Sequence, residues 1–568
     1  MHLRLLLALL PRLALAATTY EVGPGRPHGS IGAVPWESLA AGDTVLIHAR
    51  PTPYAEKWVV NARGTESAPV TVRGVPDASG ALPVIEGSGA TTRPALDYWN
   101  EERGVIKVGG SNVPTDGTPA WVVIERLHVR GARPPARFTG RGGDTAYGQN
   151  AAAIYVEKGE HVTVRGCVLE SNGNGLFVAS ASTDVRVEGN HIHGNGNAGS
   201  IYEHNSYTEA LGITFQANRF GPLLSDTGGN PLAGGNNLKD RSAGAVIRWN
   251  WIEGGNRALD LVDAEGSAAL VADPSYAVTR VYGNVLVELD DGLNSQVVHF
   301  GGDSGTTADY RPELHFWNNT VLSARSGNTT LVRLSSPDQT ARVWNNVVHA
   351  TADPGRLALA EGGGGIELGG NWFSAGWVAS HGTTGPITDA GGNQSGLDPG
   401  FVDLAGQHFG PATGSPLLGT AAALPASLAE HPLDRQYLRH QSTAPRADDG
   451  QSVGAFAAGG GGTAPGADPG PDPTAPSGCG CSSGADGAGL LLVLLLARGR
   501  RKGRPTAGLA TPGRAGHARS PRTDVRMGRA PTGCEGQSGC AMAPARRGAS
   551  RDGIRVTMVG LVHPGGKP

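Results

Sequence analysis

Residues 236–244 read "NNLKDRSAG" and set a lysine, an aspartate and an arginine side by side: Lys239, Asp240 and Arg241. In an extended strand alternate side chains face opposite ways. Asn237, Lys239 and Arg241 are then expected on one face and Leu238 on the other, toward a core. Asp240 would point inward, which is costly unless the strand bends there or the carboxylate is paired or metal-bound. Lys239 and Arg241, about 7 Å apart by strand geometry, form a compact cationic pair. Such a pair suits β-elimination on an acidic polysaccharide. That reaction needs a base for the proton beside a uronate carboxylate, a positive charge to hold the carboxylate, and an acid for the leaving oxygen. Like-charge repulsion from an arginine would pull the lysine pKa down and favour a base role, and a guanidinium grips a carboxylate at two points. The same residues would also fit a plain ion-pair ladder, Lys239 with Asp260 and Arg241 with Glu209, worth little if exposed.

What must position these residues is a repeat. The pattern apolar, any, any, Asn, any, apolar recurs as "VEGNHI" at Asn190, "FQANRF" at Asn218, "IRWNWI" at Asn250, "VYGNVL" at Asn284, "FWNNTV" at Asn319, "VWNNVV" at Asn346 and "LGGNWF" at Asn371. "TVRGCVL" at Cys167 and "VIERLHV" at Leu127 extend it upstream without the asparagine. The drifting period excludes a solenoid of fixed unit and suits coils with loops of different length. The expectation is a right-handed parallel β-helix, an all-β single solenoid whose coils pair about 4.8 Å apart. An asparagine amide at each bend would donate to one neighbouring coil and accept from the other. The flanking apolar residues would face inward, so Val187→Asp should damage the fold far more than loop changes. A two-sheet sandwich would alternate more regularly and would not keep asparagine at one phase.

Aligned on their asparagines, "GLFVAS", "EHNSYT" and "NNLKDR" fall at one position in their coils, and "RALDLVD", "QVVHFGG" and "TLVRLSS" continue the same strand. The face they form carries Lys239, Arg241, Arg257 and Asp260 as candidate catalytic residues. His204, Tyr207, Glu209, His299 and Arg333 are candidate substrate-binding residues. A glycoside hydrolase reading would use Asp260 with Asp263, or Asp290 with Asp291, as its two carboxylates. A non-catalytic polysaccharide binder would keep the groove and aromatics such as Trp249, Trp251, Tyr202 and Tyr207. His191 and His193 are spaced for a metal but read better as a surface turn. Calcium is a plausible cofactor through the oxygens of "GGNNLKD" and "GGNRALD", at no located site.

The 568 residues include 88 glycines and 39 prolines between short apolar runs, as a turn-rich β protein requires. A formal net charge of −3 argues against a nucleic-acid binder, which needs a clustered basic surface that the main body lacks. Of five cysteines only Cys167 lies in the main body, so no disulfide scaffold holds it, and Cys167 is expected as a small buried hydrophobe in a strand. Residues 1–17 have the basic start, apolar run and small-residue site of an export signal. "AAGDTVLIHA" and "APVTVRG" are expected as opening coils capped by residues 20–40, and "DPGFVDLAGQHFGPATGSPLLGTA" with "SVGAFAA" as the closing coil.

The "GDTVLI" opening, the asparagine-phased coils and the "DPGFVD…SPLLG…VGAF" ending resemble secreted pectate-lyase-like β-helix proteins over about residues 20–457. That architecture serves lyases, hydrolases, epimerases and binders alike. β-Helix lyases of the alginate and chondroitin type use a lysine base with an arginine on the next coil, often beside calcium. By that resemblance Lys239 is the base, while Asp260 stands where the arginine is expected and Arg257 three residues earlier. The β-helix domain is assigned to 18–457, followed by a Gly/Pro-rich linker at 458–478. Residues 479–502, with Cys479, Cys481, an apolar run and "RGRRKGR", resemble a myxobacterial C-terminal surface-sorting signal, and 503–568 form a basic, repeat-free tail. The expectation is an exported, surface-displayed monomer that meets a membrane only through the sorting segment, with polysaccharide as its partner.

Overall fold

The computed structural model describes residues 17–462. The expected export signal up to residue 16, the expected linker from 463 and the expected sorting segment and basic tail fall outside the described residues.

The chain winds as a right-handed parallel β-helix with three stacks of strands. One complete coil shows the plan: Leu238–Asp240 in the first stack, Ala243–Arg248 in the second and Trp251–Glu253 in the third. Each pairs in parallel with its equivalents one coil away, so Leu238–Asp240 lies between Ser206–Thr208 and Leu259–Leu261. The third stack holds eleven strands, from Val84–Glu86 to Gln394–Gly396. The second opens with Thr19–Val22, which pairs with Thr44–His48.

Alternation fills the core. In Ala243–Arg248, Ala243, Ala245 and Ile247 are buried while their neighbours are half-buried. Val187, Phe215, Ile247, Val281, Phe316, Val343 and Leu368 carry this inward position through successive coils, all within one continuous cluster. Each such side chain contributes about 1.5–3 kcal/mol, which is why a charge at Val187 would be damaging.

The asparagine ladder forms as its spacing predicts. Asn250 Oδ1 accepts from Asn218 N–H at 3.0 Å and from Asn218 Nδ2 at 2.9 Å. Asn250 Nδ2 donates to Asn284 Oδ1 at 3.0 Å and to Phe215 O at 3.0 Å. The ladder runs on to Asn393 in "AGGNQS", one rung beyond the repeat legible in sequence. The residue before each of these seven asparagines turns the chain in the left-handed region: Gly189, Ala217, Trp249, Gly283, Asn318, Asn345 and Gly370 all have φ between 50° and 66°. Glycine and asparagine tolerate this, whereas Ala217 and Trp249 adopt it at a cost of about 1 kcal/mol. Cys167 occupies the ladder phase itself: it is fully buried at the bend between strands, not within one as expected, donates its N–H to Asn190 Oδ1 at 2.9 Å, and directs its Sγ at the carbonyls of Ile124 at 3.8 Å and Arg165 at 3.5 Å, where a ladder amide would donate.

At the first end Ile31, Val34 and Trp36 close the core, with Trp36 stacked on Trp58. The other end corrects the expected closing coil. Its "DPGFVD" and "GQHFGP" segments form an antiparallel hairpin, Phe401–Asp403 with His408–Pro411, and the chain then runs back along the outside of the coils. Phe409 and Tyr437 pack on Trp251, while Leu428 and Leu433 join Trp249, Tyr282, Trp317 and Trp344. Gln441 reaches back to the carbonyl of Gly189 at 3.0 Å. Trp249 and Trp251 therefore belong to the seat of this strap and not to a polysaccharide groove.

Candidate functional site

Because the first-stack strands pair in strict register, one outward column runs Phe177, Tyr207, Lys239, Asp260, His299, Arg333, Glu361. Seven coils thus bring together residues spread over 185 positions of sequence, and the middle of this column lines a groove of about 540 Å³. Lys239, Arg241, Arg257, Asp260, His204, Tyr207, His299 and Arg333 all line it, joined by Asn236, Glu265 and Asp303, with the exposed Tyr202 on its rim. The four candidate catalytic residues converge.

Their pairing is dense. Lys239 Nζ lies 3.0 Å from Asp260 Oδ2 and 2.5 Å from Asp303 Oδ2. Asp260 also accepts from Asn236 Nδ2 at 2.6 Å, and its Oδ1 is 2.7 Å from His299 Nδ1. His299 Nε2 in turn meets Ser335 Oγ at 2.9 Å. Arg241 spreads over four partners: Nε donates to the Tyr207 hydroxyl oxygen at 2.8 Å, Nη1 to Asp263 O at 2.6 Å and Nη2 to Asp303 Oδ1 at 2.8 Å, while Glu265 Oε2 stands 3.3 Å from Nη2. Arg257 donates to Gln296 Oε1 at 3.1 and 2.9 Å and stands 4.0 Å from Asp260.

These contacts set the protonation states. Burial works against the Lys239 ammonium, but Asp260 and Asp303 outweigh it and raise its pKa above the ordinary value. The downward shift expected from neighbouring Arg241 is present and loses, because two carboxylates within 3.0 Å outweigh one guanidinium. Asp260, although buried, is held well below the usual carboxylate range by the His299 hydrogen bond and the Lys239 charge. Asp303 is likewise lowered against its burial by Lys239 and Arg241. Burial, reinforced by Lys239, pushes His204 down to about 3. Its Nδ1 accepts the Asn236 N–H at 2.9 Å, which leaves the ring proton on Nε2. Tyr207 is raised by burial with Arg241 opposing, so its phenol keeps its proton at neutral pH.

Asp240 does point inward. It is fully buried and resolved by pairing: Arg311 Nη2 lies 2.8 Å from its Oδ2, while Thr208 Oγ1 and Ser242 Oγ each donate to Oδ1 at 2.7 Å. Asn237, expected on the groove face, is instead buried in a second, shorter ladder, Asn172–Asn195–Asn205–Asn237, that turns the chain into the first stack. Asn236 takes its place in the groove. Arg241 does not reach Glu209. Glu209 lies beside the lining rather than in it, raised to about 7 by burial against the pull of Arg241. His191 and His193 sit in a strand, not a turn, and burial pushes them down to about 2 and about 4. Asp290 and Asp291 lie outside the groove, beside Ser326 and Arg325. Asp303, Ser335 and Arg311 contact these residues and were missed by sequence reasoning. Only the inward carboxylate of Asp240 signalled that a cation had to arrive from elsewhere.

Among the described residues no group of three or more His, Cys, Asp or Glu side chains is placed to hold a metal ion. Asp260 and Asp303 spend their charge on Lys239 and Arg241, so these carboxylates do not fit a calcium cradle as they stand.

A family model described as "Right handed beta helix region" matches residues 142–269, which include Lys239, Arg241, Arg257 and Asp260. No curated protein matches the chain. Solved structures that resemble it include pectate lyase Pel9A (12% identity, 78% of this chain and 98% of that one, TM-score 0.42). An alginate lyase from Paenibacillus sp. str. FPU-7 aligns at 14% identity over 62% of this chain and 93% of that one, TM-score 0.36. The GH136 lacto-N-biosidase from Eubacterium ramulus aligns at 14% identity over 67% and 68%, TM-score 0.38.

Proposed function

We propose that this groove binds a uronate-containing polysaccharide and cleaves it by β-elimination. The observation that supports the reading is the convergence of Lys239, Arg241, Arg257 and Arg333 on one face, with the Tyr207 phenol held by Arg241. Four cations against Asp260, Asp303 and Glu265 favour an anionic chain, and guanidinium groups suit its carboxylates. In the elimination, the proton beside the uronate carboxylate passes to a base and its electron pair forms the carbon–carbon double bond. The bond from the β carbon to the glycosidic oxygen breaks, and that oxygen takes a proton. Tyr207, protonated and oriented by Arg241, is suited to supply it. Lys239 is placed for the abstraction, but while both carboxylates hold it the side chain is an ammonium, and it must lose one of them to act as base.

A glycoside hydrolase would need one raised carboxyl as acid, whereas Asp260 is lowered, Asp263 is buried with its Oδ1 on the N–H groups of Asp303 and Ser304, and Asp290 and Asp291 lie outside the groove. The reading with a specific observation in its favour is a non-catalytic binder, since the resting ion pairs of Lys239 would serve binding alone. Export and surface display rest on the sequence outside the described residues and complete the proposal: a polysaccharide outside the cell is the substrate such a chain would meet. A calcium ion would have to draw its oxygens from other groups, since Asp260 and Asp303 are paired with Lys239 and Arg241. The test is incubation of the protein with alginate, polygalacturonate and chondroitin, with and without a chelator, following the ultraviolet absorbance of unsaturated uronate. Absorbance that Lys239→Ala abolishes supports the reading. No absorbance, with retained binding, favours the binder, and activity intact in Lys239→Ala rejects the site.

A further inference from the structure

The groove is closed by one of its own side chains. Asp303 belongs to the segment after Gln296–Phe300, and its carboxylate spans the two central cations, Oδ2 at 2.5 Å from Lys239 Nζ and Oδ1 at 2.8 Å from Arg241 Nη2. The cations are nearly enclosed, at 9% and 5% side-chain exposure, whereas Asp303 retains 32%. Its backbone is pinned: Asp263 Oδ1 accepts the N–H of Asp303 at 2.8 Å and of Ser304 at 3.4 Å. The side chain alone is free to leave. A uronate carboxylate presents the same planar pair of anionic oxygens to the same two donors.

We infer that Asp303 is an internal occupant of the seat for a uronate carboxylate, and that substrate enters by displacing it from Lys239 and Arg241. The inference rests on the reading of the groove as a uronate site. Two consequences follow. Occupation by Asp303 multiplies the apparent dissociation constant by the reciprocal of the fraction of molecules in which the seat is open. The Asp303 charge also bears on Lys239. The groups that face it are His204 and Tyr207 from the preceding coil, Arg241 on its own, Arg257 and Asp260 from the next, and His299 and Asp303 from the one after. Burial and Arg241 favour the neutral amine while Asp260 and Asp303 favour the ammonium, so removing the Asp303 carboxylate by substitution moves Lys239 toward the amine, whereas a uronate carboxylate seated on the same donors takes over the charge that Asp303 supplied.

The test uses the whole chain with Asp303→Asn, and Asp303→Ser as a second variant should the first misfold. Sodium glucuronate is the probe, with glucose as neutral control, and saturation-transfer NMR is the readout. If the seat stands open in about a tenth of molecules, both variants bind glucuronate about tenfold more tightly than the parent chain. The Lys239 titration, followed in a chain with only six lysines to assign, moves to lower pH. Unchanged or weaker glucuronate binding, or an unmoved Lys239 midpoint, overturns the inference. Neither readout uses cleavage: tighter binding without any unsaturated product upholds the seat and removes the elimination, and cleavage with unchanged binding does the reverse.

Discussion

Replacing Arg311 with leucine should undermine the rung that carries Lys239 and Arg241 without touching either. Arg311 is 1% exposed and donates to Val262 O at 2.6 Å, Thr279 Oγ1 at 2.9 Å, Asp240 O at 3.1 Å, Asp240 Oδ2 at 2.8 Å and Ser242 O at 2.9 Å. It is the counter-charge of Asp240, which is fully buried between the two groove cations in sequence. The hydroxyls of Thr208 and Ser242 remain in the variant, but they satisfy lone pairs without neutralising a charge. Removing one partner of a buried pair costs about 3–5 kcal/mol. The orphaned carbonyls of Val262 and Ser242 place Arg311→Leu toward the upper end of that range. Asp240→Asn should cost a similar amount by stranding Arg311. The double variant Asp240→Asn/Arg311→Leu should fall about 2 kcal/mol short of the sum, because no buried charge is left. Urea unfolding followed by tryptophan fluorescence measures all three. A single-variant cost below about 1 kcal/mol, or strict additivity in the double variant, would refute the argument that this ion pair supports the rung.

Three further outcomes can be checked on the same preparation. Asn250→Ala removes a rung with five hydrogen bonds and strands the Asn218 N–H, so urea unfolding should show a loss of about 3 kcal/mol. Ala217→Gly relieves a left-handed residue at φ 57° and should raise stability by about 1 kcal/mol, read as an increase in Tm. Glu288 is fully buried and raised by burial to about 8, so the folded chain holds a proton that the unfolded chain releases near 4.5. Stability should therefore fall as pH climbs between those values, and Glu288→Gln should flatten the fall in pH-dependent urea midpoints.

Much of the fold was legible because it is carried by local rules repeated in register. Asn190, Asn218, Asn250, Asn284, Asn319, Asn346 and Asn371 announce themselves by phase, and Leu238 or Ile247 by alternation. The strap was not legible. "DPGFVD" and "SVGAF" have the composition of a coil, and nothing local to them reveals that Phe409 and Tyr437 pack against Trp251 instead of completing a turn. In the groove, aligning coils on the asparagines was enough to bring Tyr207, Lys239, Asp260, His299 and Arg333 into one column. It missed Asn237, because a residue at a bend does not obey strand alternation. It also misjudged the Lys239 pKa: Arg241 is two residues away in sequence, whereas Asp303 arrives from 64 residues on.

The sequence by itself determined which side chains face inward, where the coils turn and which residues share the groove column, since strand period and ladder chemistry act on neighbours a few positions apart or one coil apart. Only the tertiary structure decided what those residues are charged against. Asp303 on Lys239 and Arg241, and Arg311 beneath Asp240, come from loops whose length and path the repeat does not constrain. Charge interactions fall off with distance and not with sequence separation, so the protonation state of the groove is set by which loop ends come close.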